Sequence, residues 1–209
     1  MVRIPVGDAF TLEGETQVGA GADWAVVCHP HPAFGGRMDV PLVVRLAESM
    51  YAAGWSTLRF NFRGIDGSEG RPTGGNAEHE DVAAAVSWVR GKGAARVELV
   101  GYSFGALMAA RALANGTSAV AMAAVGFPTT ILGEEPERVA IVERALERRI
   151  PWLFVNGDQD QFCEVDRLRG FVAGRPWTEL QVLAGRGHFF AGVDEDEVCR
   201  RVARFVAAL

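Results

Sequence analysis

Short apolar runs alternate with longer segments of helical periodicity along most of the chain. Residues 24–28 are continuously apolar and end at His29-Pro30, which is typical of a buried strand. Over residues 39–53 the apolar side chains recur every three or four positions, which predicts an amphipathic helix. The same alternation continues to the end of the sequence, after a predicted N-terminal hairpin over residues 2–18.

The rest of the pattern predicts five further pairs of strand and helix. The strands are expected over residues 56–62, 97–102, 119–126, 151–156 and 179–183, and the helices over residues 78–90, 104–114, 134–149, 164–172 and 195–208. Continuously apolar strands separated by helices predict an α/β fold: a mostly parallel sheet of about seven to eight strands with helices on both faces. Because no repeat or linker interrupts the pattern, we expect one domain over residues 1–209.

The loop after the predicted strand 97–102 contains a candidate nucleophile. Residues Gly101 to Gly105 read GYSFG and match G-x-S-x-G. A tight strand–turn–helix places the central serine in a strained backbone conformation, at a helix N-terminus that favours developing negative charge. A Cβ at either flanking glycine would clash, so Ser103 is the expected nucleophile. The alternative is a tight turn in a nucleotide-binding protein, but no G-x-G-x-x-G follows a predicted strand.

A serine hydroxyl is a weak nucleophile and needs a base, which in turn needs an orienting acid. His188 follows the last predicted strand and is the expected base, the alternative being a structural loop histidine. The loop after strand 151–156 contains Asp158 and Asp160, and by spacing either could be the acid.

These motifs resemble the α/β-hydrolase superfamily, and within it the small lidless bacterial serine hydrolases similar to dienelactone hydrolase. The chain order serine, aspartate, histidine is that of α/β-hydrolases. The resemblance spans about residues 24–208 and rests on CHPHP at 28–32 with GG at 35–36, RFNFRG at 59–64 with SEG at 68–70, GYSFG at 101–105, GDQD at 157–160 and GH at 187–188. It implies an α/β-hydrolase fold without a large cap and a serine hydrolase that needs no cofactor. It also implies Asp160 as the acid, because the family uses the second aspartate of its G-x-x-D loop.

Acyl transfer further requires two N–H donors for the oxyanion. The amide of Phe104, directly after the nucleophile, is one expected donor. The second is expected in the loop after strand 24–28, where Pro30 and Pro32 have no N–H to donate. Relatives with H-G-x-P in this loop imply His31 as the donor, with Ala33 as the alternative if the loop is threaded differently.

The same loop also raises the question of a metal. His29 and His31 have the spacing of a ligand pair, but no acidic residue or further histidine lies within a few positions, so we expect no metal. Phenylalanines in the loops after the strands are expected to line an apolar substrate pocket, with a place in the core as the alternative. These are Phe34, Phe127, Phe162 and Phe189.

Composition excludes several classes of protein. Hydrophobic residues make up 49% and charged residues 22% of the chain, which is typical of a globular protein. A net charge of −5 with thinly spread basic residues argues against nucleic-acid and membrane-surface partners. The three cysteines, with no close spacing and no secretory signal, predict free thiols and a cytoplasmic location.

The expected function is hydrolysis of small carboxylic esters through an acyl-enzyme. Alternatives are an acyltransferase or thioesterase that uses the same residues, or a binding module without catalysis. Between residues 127 and 151 there is room for one helix, so we expect no lid, an open site and no interfacial activation. A homodimer through a sheet edge or the last helix is compatible with the sequence, which does not select one.

Overall fold

The computed structural model describes residues 1–133 and 136–209. Within them the strands are β1 (Val2–Val6), β2 (Phe10–Gln17), β3 (Asp23–Cys28), β4 (Ser56–Phe60), β5 (Arg96–Tyr102), β6 (Ala121–Val125), β7 (Trp152–Gly157) and β8 (Thr178–Leu183). The helices are α1 (Pro41–Ala52), α2 (Glu78–Gly91), α3 (Phe104–Ala114), α4 (Pro136–Leu146), α5 (Val165–Val172) and α6 (Val193–Ala207), with single 3-10 turns at Pro32–Phe34 and Thr129–Leu132.

All eight strands form one sheet in the order β1-β2-β4-β3-β5-β6-β7-β8. Strand β2 is antiparallel to both β1 and β4, and every pair from β4 to β8 is parallel. The predicted mostly parallel sheet and N-terminal hairpin are therefore confirmed. Because β3 to β8 run in the same direction, the loops that leave their carboxyl ends meet along one edge of the sheet.

Helices cover both faces of the sheet, as predicted. One hydrophobic cluster packs α1 and α6 against the sheet, and the other packs α2 to α5 against the opposite face. In β7, Trp152 and Phe154 belong to one cluster, and Leu153 and Val155 belong to the other. A strand that is buried on both faces has a continuously apolar sequence, which is why β7 could be predicted from the sequence.

Several element ends differ from the prediction for local reasons. The helix predicted over residues 39–53 begins at Pro41, since proline is favoured at the first helical position. The helix predicted over residues 134–149 is described as α4 from Pro136 to Leu146, and residues 134 and 135 of this prediction lie outside the described residues. Strand β4 ends at Phe60, and the amide of Phe62 beyond it donates to the His29 ring at 3.1 Å rather than to a neighbouring strand.

Within residues 1–133 and 136–209, no large cap covers the carboxyl edge of the sheet. Between β6 and β7 the described residues form only the 3-10 turn Thr129–Leu132 and helix α4. None of the helices in the two described ranges has the length and hydrophobicity needed to cross a lipid bilayer.

Candidate active site

The turn between β5 and α3 has the strained geometry that the sequence predicts. Ser103 has φ 54° and ψ −115°, in a region that side chains other than glycine rarely occupy. A Cβ on Gly101 would overlap the backbone of Ala106, and one on Gly105 would overlap the carbonyl of Cys28. Gly101 therefore allows the tight turn into α3, and Gly105 allows the start of α3 to pack directly onto the end of β3, which brings the two loops together.

Ser103, His188 and Asp160 form a hydrogen-bonded series. His188 Nε2 lies 2.8 Å from Ser103 Oγ, and His188 Nδ1 lies 2.9 and 2.8 Å from the two carboxylate oxygens of Asp160. All three residues are buried. Asp158, the alternative acid, is exposed and instead accepts a hydrogen bond from the Gly185 amide at 2.6 Å. The structure thus brings Asp160, and not Asp158, to the histidine.

Neighbouring groups fix the orientation of this series. The Tyr102 hydroxyl donates to the His188 carbonyl at 3.0 Å, and the Phe162 amide donates to Asp160 at 2.8 Å. The Phe162 ring packs edge-on against the imidazole, with 4.7 Å between ring centroids. Sequence reasoning assigned no role to Tyr102, which occupies an unspecified position of the G-x-S-x-G motif.

The loop after β3 is held in place by the buried side chain of His29. Its Nε2 accepts a hydrogen bond from the Phe62 amide, so the neutral ring carries its proton on Nδ1 and donates it to the Pro30 carbonyl at 2.7 Å. Across a trans peptide the C=O and the following N–H point in opposite directions. The bond to Pro30 therefore directs the His31 amide away from His29.

The loop's amides differ in whether they are free to act as donors. The Ala33 amide donates to His31 Nδ1 at 3.1 Å, so it is already engaged. Within the described residues, no hydrogen-bond acceptor faces the amides of His31 and Phe104. Phe104 lies in the first turn of α3, where amides have no partner within the helix.

The two loop histidines are not arranged as a metal-binding pair. Both ring nitrogens of His29 are taken by backbone groups, and burial lowers the pKa of this ring to about 4. Burial also lowers the pKa of the half-buried His31. Across residues 1–133 and 136–209, no group of three or more histidine, cysteine, aspartate or glutamate side chains could hold a metal ion.

Ser103 and His188 open into a cavity of about 310 Å³. Three of the four predicted pocket phenylalanines line it, and they are Phe34, Phe162 and Phe189. Phe127 does not: it is fully buried and packs edge-on against Phe154, with 5.5 Å between ring centroids. Phe127 lies two residues after β6 and continues its buried series into the core on the α2–α5 face, which corrects the expectation that it lines the pocket.

A second cavity of about 250 Å³ lies beside the first. His31, Phe34 and Ile131 line both cavities and so form the wall between them. The second cavity extends along α3, where Phe104, Leu107 and Met108 line it. The site therefore offers two adjoining compartments.

Comparison with known proteins agrees with this architecture. The alpha/beta hydrolase domain family matches residues 23–208. An alpha-beta serine hydrolase homologue from Coxiella burnetii is 30% identical, with a TM-score of 0.83 over 97% of this chain and 95% of that one. A putative alpha/beta hydrolase of unknown function from Agrobacterium tumefaciens is 28% identical, with a TM-score of 0.80 over 97% and 93% of the two chains.

A third solved structure shares the fold. The Xanthomonas campestris protein, described as an a/b serine hydrolase without lid, is 23% identical and has a TM-score of 0.80 over 99% of this chain and 93% of that one. At this identity the likeness concerns the fold alone, and it matches the absence of a large cap in the described residues. The chain belongs to the alpha/beta hydrolase family.

Proposed function

We propose that this protein is a serine hydrolase that cleaves small carboxylic esters through an acyl-enzyme. The observation that carries the proposal is the series from Ser103 Oγ through the His188 ring to Asp160, with every hydrogen-bond distance between 2.8 and 2.9 Å. A hydroxyl in contact with a buried imidazole, which is itself held by a carboxylate, is the arrangement that activates serine for attack on a carbonyl.

In the first half of the reaction, Ser103 Oγ attacks the ester carbonyl carbon while His188 Nε2 takes its proton. Asp160 holds the ring so that Nδ1 keeps its proton, and it stabilises the imidazolium. The amides of Phe104 and His31 donate to the oxyanion, because both are free of other acceptors in the described residues. When the tetrahedral intermediate collapses, the C–O bond breaks and His188 gives its proton to the departing alcohol.

In the second half, a water molecule takes the place of the alcohol. His188 removes a proton from the water as it attacks the acyl carbon, and then returns that proton to Ser103 as the carboxylic acid leaves. The small cavities and the absence of a large cap in the described residues favour small esters that enter directly from solvent.

Labelling with a fluorophosphonate tests this proposal. We expect one label per chain on Ser103 and none on the Ser103→Ala variant, with circular dichroism as a control for folding. Ser118→Ala, which changes an exposed serine outside the site, serves as the matched control and should be labelled like the native protein. A folded native protein that takes no label would exclude a serine hydrolase.

A panel of esters, thioesters and lactones of graded chain length then identifies the bond that is cleaved. We expect short-chain esters to give the highest kcat/KM. Product analysis with an added alcohol distinguishes hydrolysis from acyl transfer, since a transferase would form the new ester in preference to the free acid.

A further inference from the structure

One carboxylate lines the cavity that contains Ser103 and His188. Glu195, in the first turn of α6, is 9% exposed and faces this cavity. Among the lining residues described here, it is the only acidic one, and none is lysine or arginine. The negative charge of a single carboxylate in a largely apolar cavity favours a positively charged ligand over a neutral or negatively charged one.

Glu195 is less tightly paired than its acidic neighbours in the same turn. Asp194 pairs with Arg186 at 2.8 Å, and Asp196 forms a close ion pair with Nη2 of Arg45. Nη1 of Arg45 lies 3.5 Å from Glu195, which is longer than the roughly 2.7–2.9 Å of a charge-assisted hydrogen bond. Arg45 does not line the cavity. The negative charge of Glu195 is therefore only partly compensated by the protein itself.

Aromatic rings surround the same cavity. They belong to Phe34, Tyr102, Phe162, Phe189 and Phe190. The faces of such rings carry partial negative charge and attract cations. Glu195 also acts on this aromatic lining, because its charge, after burial and Asp160, helps to raise the pKa of Tyr102. Rings and a carboxylate together, with no cationic side chain lining the cavity, form a site suited to an organic cation.

We propose that this cavity binds the alcohol portion of esters that carry a cationic ammonium head, and that Glu195 determines the preference. This inference rests on the proposed ester hydrolysis. His188 must give its proton to the departing oxygen, so the alcohol lies on the His188 side of Ser103. Phe189, Phe190 and Glu195 line the same cavity as His188, whereas His188 does not line the second cavity along α3, which is left for the acyl group.

A pair of isosteric substrates measures the preference. 2-(Trimethylammonio)ethyl acetate and 3,3-dimethylbutyl acetate have nearly the same shape and differ in one positive charge. We expect the native protein to favour the cationic ester in kcat/KM by about tenfold, which corresponds to about 1.4 kcal/mol. In Glu195→Gln the ratio should fall to near one, and in Arg45→Met it should rise. Asp194→Asn is the matched control, because it removes one charge from the same turn outside the cavity and should keep the native ratio.

Binding provides a readout that does not depend on catalysis. Calorimetry of both esters with Ser103→Ala should give a lower Kd for the cationic ester, and adding Glu195→Gln should remove the difference. Equal Kd values for the two esters would overturn the inference, even if the native protein hydrolyses both. Cation-selective binding that depends on Glu195 would support the inference even if the fluorophosphonate does not label Ser103, in which case the proposed function is the part that fails.

Discussion

Acid is expected to weaken the fold through the buried side chain of His29. Its ordinary pKa is 6.5, and burial lowers the pKa to about 4 in the folded protein. A proton added to Nε2 would place a second N–H opposite the amide of Phe62, with no acceptor between them. The folded protein therefore does not bind this proton over a pH range in which the unfolded chain does.

The sign and the size of the effect follow from the two pKa values. Between pH 6.5 and 4 the unfolded chain binds more protons at His29 than the folded protein, so the free energy of unfolding falls as the pH falls. The slope is about 1.4 kcal/mol per pH unit, and between about pH 8 and about pH 5 the loss is about 2 kcal/mol. Above pH 6.5 this contribution to stability is fully present.

Urea unfolding followed by tryptophan fluorescence at these two pH values measures the loss. His29→Asn keeps an N–H donor near the Pro30 carbonyl and cannot titrate, so its loss on acidification should be smaller than that of the native protein by about 2 kcal/mol. Other groups titrate too: burial raises the pKa of Glu98, which has the opposite effect, and lowers that of His79, which has the same effect. Their contributions are common to both proteins and cancel in the difference.

Two results would refute this reasoning. One is an equal loss of stability in the native protein and in His29→Asn. The other is an NMR titration in which the His29 ring of the folded native protein takes up its proton near pH 6.5, its ordinary pKa. The NMR measurement needs no variant, so it decides the question even if His29→Asn does not fold.

Three further predictions concern the site itself. Asp160→Asn should lower kcat by about 10³–10⁴-fold, because an amide can donate to His188 Nδ1 and so stabilise the tautomer with its proton on Nε2, which cannot accept the proton of Ser103. Asp158→Asn is the control and should keep most of the rate. Equal losses of kcat in the two variants would contradict the geometry. Phe34→Ala and Phe162→Ala should shift the preferred chain length of the ester, because both side chains line the cavity. The preference is measured as kcat/KM over a graded series of esters. An unchanged preference in both variants would show that these side chains do not form the substrate pocket. Because no large cap covers the described site, the rate should saturate smoothly as an ester passes its solubility limit, and a jump at that limit would indicate interfacial activation.

The sequence predicted the fold well wherever local chemistry determines an element. Helix α3 was predicted at Phe104–Ala114, as observed, because a tight glycine turn precedes it and Asn115-Gly116 ends it. Helix α4 was predicted less well at its C-terminal end. It ends at Leu146, and Arg149, within the predicted helix, has φ 54°. Such ends depend on contacts that periodicity does not encode.

The site was harder to predict where similar residues in the loops after the strands have different surroundings. Phe127 and Phe162 both lie in loops that follow buried strands, yet Phe127 lies in the core and Phe162 lines the cavity. His29 and His31 are two residues apart, but His29 is a buried structural ring and His31 lines both cavities. Glu195 appeared only as the first residue of a predicted helix. Which of these side chains faces substrate depends on the packing between loops, and one sequence does not reveal it.

The order of the strands explains why the site requires a glycine at position 126, which no motif indicates. Strand β6 lies between β5, which leads to Ser103, and β7, which leads to Asp160. Neighbouring strands are about 4.8 Å apart, so β5 and β8 are separated by about 14 Å, and the His188 ring has to lie over the end of β6. Gly126 follows β6 with φ 57°, and a Cβ there would lie 3.4 Å from His188 Cε1 and 3.3 Å from the Tyr102 ring. A side chain at this position would be strained and would press on the imidazole, so Gly126 is part of what allows His188 to contact Ser103 and Asp160 together.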